Sequence, residues 1–244
     1  MNNTCINIKN LTKSYKDLIA VDNLNLTIYE GELFALLGVN GAGKTTTIKM
    51  LSCLTKPTSG EALIYNYSIN NDEDKIKNII ALSMQETAIA RNLTVKENLE
   101  FIGKIYNIAK QELNDRISFL TNKFSLTPIL NKKSGKLSGG WQRKLSIALA
   151  LIVNPKVLFL DEPTLGLDVL ARRELWDIIE SLKGHITIIL TTHYLEEAEK
   201  LANRIGIMIN GKLKALGTSD EIKESTNTKT FEDAFVSIAT RKEI

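Results

Sequence analysis

LFALLGVNGAGKTTTIKM, residues 33–50, decides how the rest of the chain is read. Residues 33–37 are continuously apolar, the pattern of a strand buried on both faces. GVNGAGKTT (38–46) then fits G-x-x-x-x-G-K-[ST], a Walker A loop, and opens a helix expected from about Gly43 to Cys53. Gly38, Gly41 and Gly43 let the backbone curl so that N–H groups point at phosphate oxygens. Asn40 and Thr46 are counted in the same cradle. Lys44 is placed to reach the β and γ phosphates, and the Thr45 hydroxyl to bind Mg²⁺.

Strand and helix signals continue on both sides of that loop. INIKNL (6–11) and LNLTIYE (24–30) alternate apolar and polar residues, as half-exposed strands do. EALIYN (61–66) and IIALSM (79–84) read as further strands. From about Thr94 to Val153 the apolar spacing is helical, with Val95, Leu99, Ile102, Ile105 and Tyr106 in phase. Thr94 and Glu97 form a capping box at its start. Strand patterning returns at VLFL (157–160) and ITIILTT (186–192), with helices expected near 171–182 and 194–202. RIGIMI and KLKALG flank Asn210-Gly211, a two-residue hairpin turn whose central positions need positive φ. Thr218 with Glu221, and Thr230 with Asp233, cap two short helices near the end. The pattern is that of an α/β core interrupted by a helical insertion.

VLFLDEP (157–163) supplies a second piece of chemistry. Four apolar residues bury a strand, and Asp161 emerges at its C-terminal end, where open α/β sheets place ligands. Asp161 is expected to bind Mg²⁺ through water. Glu162 is placed to orient and deprotonate an attacking water. LSGG (137–140) is a second glycine turn at a helix start, again suited to holding phosphate through free N–H groups and the positive end of the helix dipole.

Composition sets outer bounds. The chain has 244 residues, 43% apolar and 24% charged, which is ordinary for a globular domain. A net charge of +3 argues against nucleic acid as a partner. Cys5 and Cys53 give neither metal spacing nor a disulfide framework, and both read as buried or half-buried thiols. No apolar run approaches the eighteen or so residues that a membrane-spanning helix needs. The start, MNNTCINIKN, lacks a signal-peptide layout. The expected location is therefore cytoplasmic, and any membrane part would come from another chain.

The motifs together resemble the ATP-binding subunit of an ABC transporter. The resemblance rests on GVNGAGKTT (38–46), Gln85 in ALSMQE, LSGGW (137–141), VLFLDEP (157–163), LGLD (165–168) and His193 in LTTHY, all in that family's order. It implies an α/β fold: a P-loop NTPase core, with a RecA-like mixed sheet and flanking helices, plus an N-terminal antiparallel β subdomain and an inserted α-helical subdomain. Residues 1–90 and 154–218 would form the core with its antiparallel part, 91–153 the helical subdomain, and 219–244 a short C-terminal helical tail.

The resemblance also implies roles. Tyr15 in LTKSYK would stack on adenine. Gln85 would touch Mg²⁺ or the attacking water without adding charge, and would link the site to a membrane partner. His193 would contact the γ-phosphate and hold the water with Glu162. Ser138, Gly139 and Gly140 would close over the nucleotide held by a second copy, with Asp168 coupling the two sites. The implied ligands are ATP and Mg²⁺. The implied partners are a second ATP-binding subunit and transmembrane permease subunits, which would hold the chain on the inner face of the membrane. Two positions depart from the family pattern: Trp141 stands where Gln is usual, and Val169 where Pro is usual after LD.

Without a second ATP site in the chain, the resemblance lies with stand-alone subunits of exporters for drugs, antibiotics or peptides. A competing reading is an ABC ATPase acting on nucleic acid or ribosomes. Those proteins carry paired ATP domains or long coiled coils, and neither is present here. A GTPase needs an N-K-x-D type motif, and Asn131-Lys132-Lys133-Ser134 lacks the Asp.

Overall fold

The structure is a computed structural model and describes residues 3–240. Its first strands are β1 (Thr4–Tyr15) and β2 (Leu18–Tyr29), an antiparallel hairpin longer than the alternating runs 6–11 and 24–30 predict. The buried strand β3 (Leu33–Leu37) leads through the glycine loop into α1 (Lys44–Leu51). Then come β4 (Ser59–Ile64), β5 (Tyr67–Ser68), α2 (Glu73–Lys77) and β6 (Ile80–Ser83). Strand β4 stops two residues short of the expected end. Tyr65 and Asn66 take φ of 47° and 65° and turn the chain into β5.

Three helices follow: α3 (Val95–Ile105), α4 (Lys110–Lys123) and α5 (Gly139–Leu151). Helix α3 begins with the predicted capping box. Thr94 Oγ1 accepts from the Glu97 N–H at 3.2 Å, and Glu97 Oε2 accepts from the Thr94 N–H at 2.7 Å. The alternation resumes with β7 (Val157–Asp161), α6 (Val169–Glu180), β8 (Thr187–Thr192), α7 (Leu195–Leu201), β9 (Arg204–Ile209) and β10 (Lys212–Gly217). Helices α8 (Ser219–Thr226) and α9 (Phe231–Thr240) close the described chain.

The strands make two sheets. Strands β2-β1-β4-β5 form an antiparallel sheet, and β10-β9-β3-β8-β7-β6 form the central one. The central sheet is parallel except for its edge strand β10, which pairs antiparallel with β9 through the Asn210-Gly211 turn. Strands β3, β7 and β8 are buried at every residue, as their unbroken apolar runs require.

One apolar cluster between the sheets gathers Ile6, Leu24, Phe34, Ile48, Phe159 and Met208. A second runs from the helices α3–α5, through Leu99, Phe124 and Leu145, to Leu158 and Leu190 of the central sheet. The helical insertion therefore packs as a continuation of the core. At the C-terminal end of the central sheet, the ends of β3, β6, β7 and β8 lie side by side. Each leads directly into one of the motifs found in the sequence.

Candidate functional site

The glycine loop joins β3 to α1 with its backbone pressed against neighbouring strands. A Cβ on Gly43 would sit 2.3 Å from the Ala20 carbonyl oxygen, and its φ of 103° already excludes most side chains. A Cβ on Gly38 would lie 2.2 Å from the Met208 carbonyl oxygen. These contacts fix the loop, so its N–H groups reach a ligand already arranged. Lys44, the first residue of α1, folds back inside the curl. Its Nζ donates to the carbonyl oxygens of Gly38 at 2.7 Å and Val39 at 3.2 Å.

Asp161 ends β7 and is buried. Its Oδ1 accepts from Thr45 Oγ1 at 3.0 Å and from Thr191 Oγ1 at 2.5 Å, while its buried Oδ2 has no partner among the described residues. A carboxylate oxygen without a donor is costly in the interior. Hard oxygen donors from a carboxylate and a hydroxyl are what Mg²⁺ takes. Thr45 and Asp161 thus fit a magnesium ion, with Oδ2 as the open ligand.

Glu162 follows at once, and its φ of 48° places a non-glycine residue in the left-handed region. Such strain persists where surrounding structure enforces it. Here the Glu162 N–H is held by Thr191, at 3.1 Å to both its carbonyl and its hydroxyl oxygen. The turn aims the carboxylate between two groups. Oε1 lies 3.2 Å from Lys44 Nζ and Oε2 lies 2.7 Å from His193 Nδ1. His193 directly follows β8, and its ring packs on Tyr194 with centroids 4.1 Å apart.

Lys44, Thr45, Glu162 and His193 share one open cleft of about 790 Å³, with Asp161 buried behind Thr45. Asn40, Gly41, Gly43, Lys44, Thr45 and Thr46 line its floor, and Gln85, Glu162 and His193 one wall. Tyr15, 43% exposed, lines the far end beside Leu18 and Ile19. The geometry offers a phosphate cradle, an acidic metal ligand, a carboxylate poised over the cradle and an aromatic platform.

Comparison with known proteins gives the chain a family. Residues 21–165, more than half of the chain, match the family described as ABC transporter. The chain belongs to that family. It is 44% identical over 223 residues to the human phospholipid-transporting ATPase ABCA3, covering 90% of this chain and 13% of that protein. It is 40% identical over 242 residues to YbhF of Escherichia coli, a probable multidrug ABC transporter ATP-binding protein, covering 96% of this chain and 42% of that one. The chain thus spans less than half the length of either relative. Among solved structures it resembles the dimeric ATP-binding cassette MJ0796, in a post-hydrolysis state bound to ADP and Pi. There the identity is 30% and the TM-score 0.78, over 87% of this chain and 98% of that one. The chain is an ABC ATPase domain.

The remaining motif residues of this ABC domain lie outside its own cleft. Ser138 is the N-cap residue of α5, exposed and with no side-chain cap bond. A Cβ on Gly139 would meet nothing within 4 Å. The missing side chain at Gly139 therefore serves no packing need within the chain. Asp168 caps α6, accepting from the Leu170 and Ala171 N–H groups at 3.0 Å each. Among the described residues no helix is long and apolar enough to cross a membrane.

Arg143, two residues beyond Trp141, was not singled out in the sequence and is central in the structure. It is buried, and its guanidinium donates to Pro163 O at 2.7 Å, to Asp161 O at 2.9 Å, to Gln85 O at 3.4 Å and to Met84 O. Burial lowers its pKa to about 10, against the pull of Asp161, Glu197 and Glu162. One side chain of α5 thus ties the end of β7 to the chain leaving β6. Thr191 was likewise unforeseen, although it holds both Asp161 and the Glu162 backbone.

Proposed function

We propose that the cleft binds Mg²⁺-ATP and hydrolyses it, and that hydrolysis powers a separate transmembrane permease. One observation carries the catalytic assignment: the Glu162 carboxylate bridges Lys44 and His193 above the Thr45–Asp161 pair. Lys44 and the loop N–H groups hold the phosphates, and Tyr15 stacks on the base. Glu162 accepts the proton of the attacking water, and His193 holds Glu162 and the γ-phosphate in register. Gln85 offers a neutral amide to the same water or to the metal. Bound at Thr45, Asp161 and Gln85, Mg²⁺ would neutralise charge on the β and γ oxygens.

The second glycine turn is assigned to a second copy. An exposed Ser138, an open Gly139 and free N–H groups at the start of α5 form an anion site that the chain's own cleft does not use. In a head-to-tail dimer each LSGG would complete the partner's site, with Asp168 at the seam. Hydrolysis then depends on assembly, because its donors come in trans. The dimeric form of MJ0796 supports this reading. Residues 91–153 would act as the subdomain that meets the permease, and 219–244 as the tail. The permease would keep the chain at the inner face of the membrane. Export of a drug, antibiotic or peptide is the proposed task. The cargoes in the names of the two relatives, a phospholipid and drugs, support an apolar or amphiphilic one.

Glu162→Gln tests the reading. Expected is retained ATP binding, a loss of turnover beyond about a hundredfold, and an ATP-dependent dimer on gel filtration. Normal hydrolysis in that variant refutes the general-base role.

A further inference from the structure

Glu197 lies on α7, one turn beyond His193, and is fully buried. Its Oε1 accepts two hydrogen bonds, from Thr164 Oγ1 at 2.8 Å and from Trp176 Nε1 at 2.9 Å. Its Oε2 is buried without a hydrogen-bond partner among the described residues. Thr164 belongs to the turn between Glu162 and Asp168, and Trp176 to α6. A single oxygen therefore joins three segments that carry Glu162, Asp168 and His193.

A second contact runs parallel to the first. Arg172 of α6 stacks its guanidinium over the Trp176 ring and over the Tyr194 ring, 5.5 Å from each centroid. Tyr194 in turn packs on His193. A carboxyl is a costly choice for a fully buried site, and an apolar residue of the same size would pack there more cheaply. Burial holds this carboxyl above the usual range, with the Trp176 and Thr164 hydrogen bonds pulling it back. What the carboxyl adds over an apolar residue is directional: it fixes the angle between α7, the 162–168 turn and α6.

We propose that Glu197 is a positioning residue for hydrolysis: its buried Oε1 locks the segment bearing His193 to the 162–168 turn and to α6, so the place of α6 sets the place of His193. Helix α6 begins at Asp168, on the seam assigned above to the second copy. A change at that seam thereby reaches the γ-phosphate side of the cleft through Thr164 and Trp176. The inference rests on the hydrolytic role given to His193.

The test compares steady-state ATPase of the full chain carrying Glu197→Gln, Glu197→Leu, Thr164→Val or His193→Ala. Gln keeps an acceptor oxygen for both donors, whereas Leu keeps only the volume. Glu197→Leu should lower kcat about tenfold with the KM for ATP within about twofold of wild type, while Glu197→Gln stays within about twofold on both. Thr164→Val, which removes one bond and leaves the buried carboxyl, should lower kcat about threefold, and it carries the test if the Leu variant does not fold. Wild-type kcat in the Leu and Val variants overturns the inference, as does a loss expressed in KM alone or a Gln variant as impaired as the Leu one. His193→Ala separates the two levels. Unimpaired turnover there refutes the reading of the site, whereas impaired turnover beside a fully active Glu197→Leu refutes only the role of Glu197.

Discussion

Glu162 and Lys44 form a buried ion pair, 3.2 Å apart, in the cleft beside the glycine loop. Lys44 is 5% exposed and Glu162 is 7% exposed, so neither charge is compensated by solvent. On the proposed function, an incoming γ-phosphate competes with Glu162 Oε1 for Lys44, while Oε2 already rests on His193.

That exchange predicts a gain of affinity. In Glu162→Gln, the nucleotide no longer has to displace a carboxylate from Lys44. ATP should bind roughly tenfold tighter than to wild type, a difference of about 1.4 kcal/mol. A fluorescent ATP analogue, titrated into both proteins without turnover, measures it. Equal affinities would mean that the pair carries no weight in binding.

Arg143 predicts a loss of both stability and activity. Its guanidinium satisfies carbonyl groups at Met84, Gln85, Asp161 and Pro163. Arg143→Leu leaves buried acceptors without donors and should cost about 2–4 kcal/mol, read from urea midpoints. Arg143→Lys should recover little of this, because one ammonium cannot present the planar fork. ATPase should fall in both variants, since the end of β7 carries Asp161 and Glu162. Wild-type stability in Arg143→Lys would show that charge alone suffices.

The buried carboxyl of Glu197 predicts a pH-dependent stability. Its native pKa is raised above the ordinary 4.5 by burial. Between the ordinary value and the raised one, the native state holds more protons than the unfolded state, so this group's contribution falls as pH rises through that window. Glu197→Gln has no proton to lose. Its stability relative to wild type should therefore improve as pH climbs above 4.5 and level off above the native pKa. Urea midpoints from about pH 5 to about pH 8 measure the trend, and a constant difference between the two proteins would contradict it.

Ser138 predicts complementation. Its side chain is exposed and makes no cap bond, so Ser138→Arg should fold normally and bind ATP as dilute monomer. It should not hydrolyse, because the bulky cation meets the partner's nucleotide. Lys44→Ala should be inactive through its own cradle. Mixed in equal amounts, these two inactive chains build one competent site in each mixed dimer, so about a quarter of wild-type activity should return by random pairing. No recovery would refute the assignment in trans.

The elements that the sequence revealed are those whose chemistry is local. The glycine loop, the capping boxes at Thr94 and Thr218, and the Asn210-Gly211 turn are each written in neighbouring residues. The Tyr65–Asn66 turn was not legible, because positive φ at a tyrosine is enforced by the sheet and no glycine announces it. Helix α2 is one short turn with too few residues to show a period. Arg143, Thr191 and Glu197 escaped for another reason. Each acts on residues roughly 20 to 60 positions away, so its role exists only once β6, β7, β8 and α7 lie side by side.

Trp141, the residue that departs from the family's usual Gln, is engaged within its own chain. The half-buried indole packs on the cluster that joins α3–α5 to the sheet. Lys144 Nζ sits 4.7 Å from the ring centroid and pairs with Glu174 Oε2 at 2.7 Å. Lys144 itself is 6% exposed, so the ring face shields a cation that has little water. Gln at this position would remove both the apolar packing and the cation–π contact. Trp141→Gln should therefore destabilise the fold by about 1–2 kcal/mol in urea titrations. Turnover should stay near normal and the KM for ATP within about twofold, because the indole's work is done inside one chain. A KM that moves tenfold with stability unchanged would transfer the role of Trp141 to the partner's nucleotide.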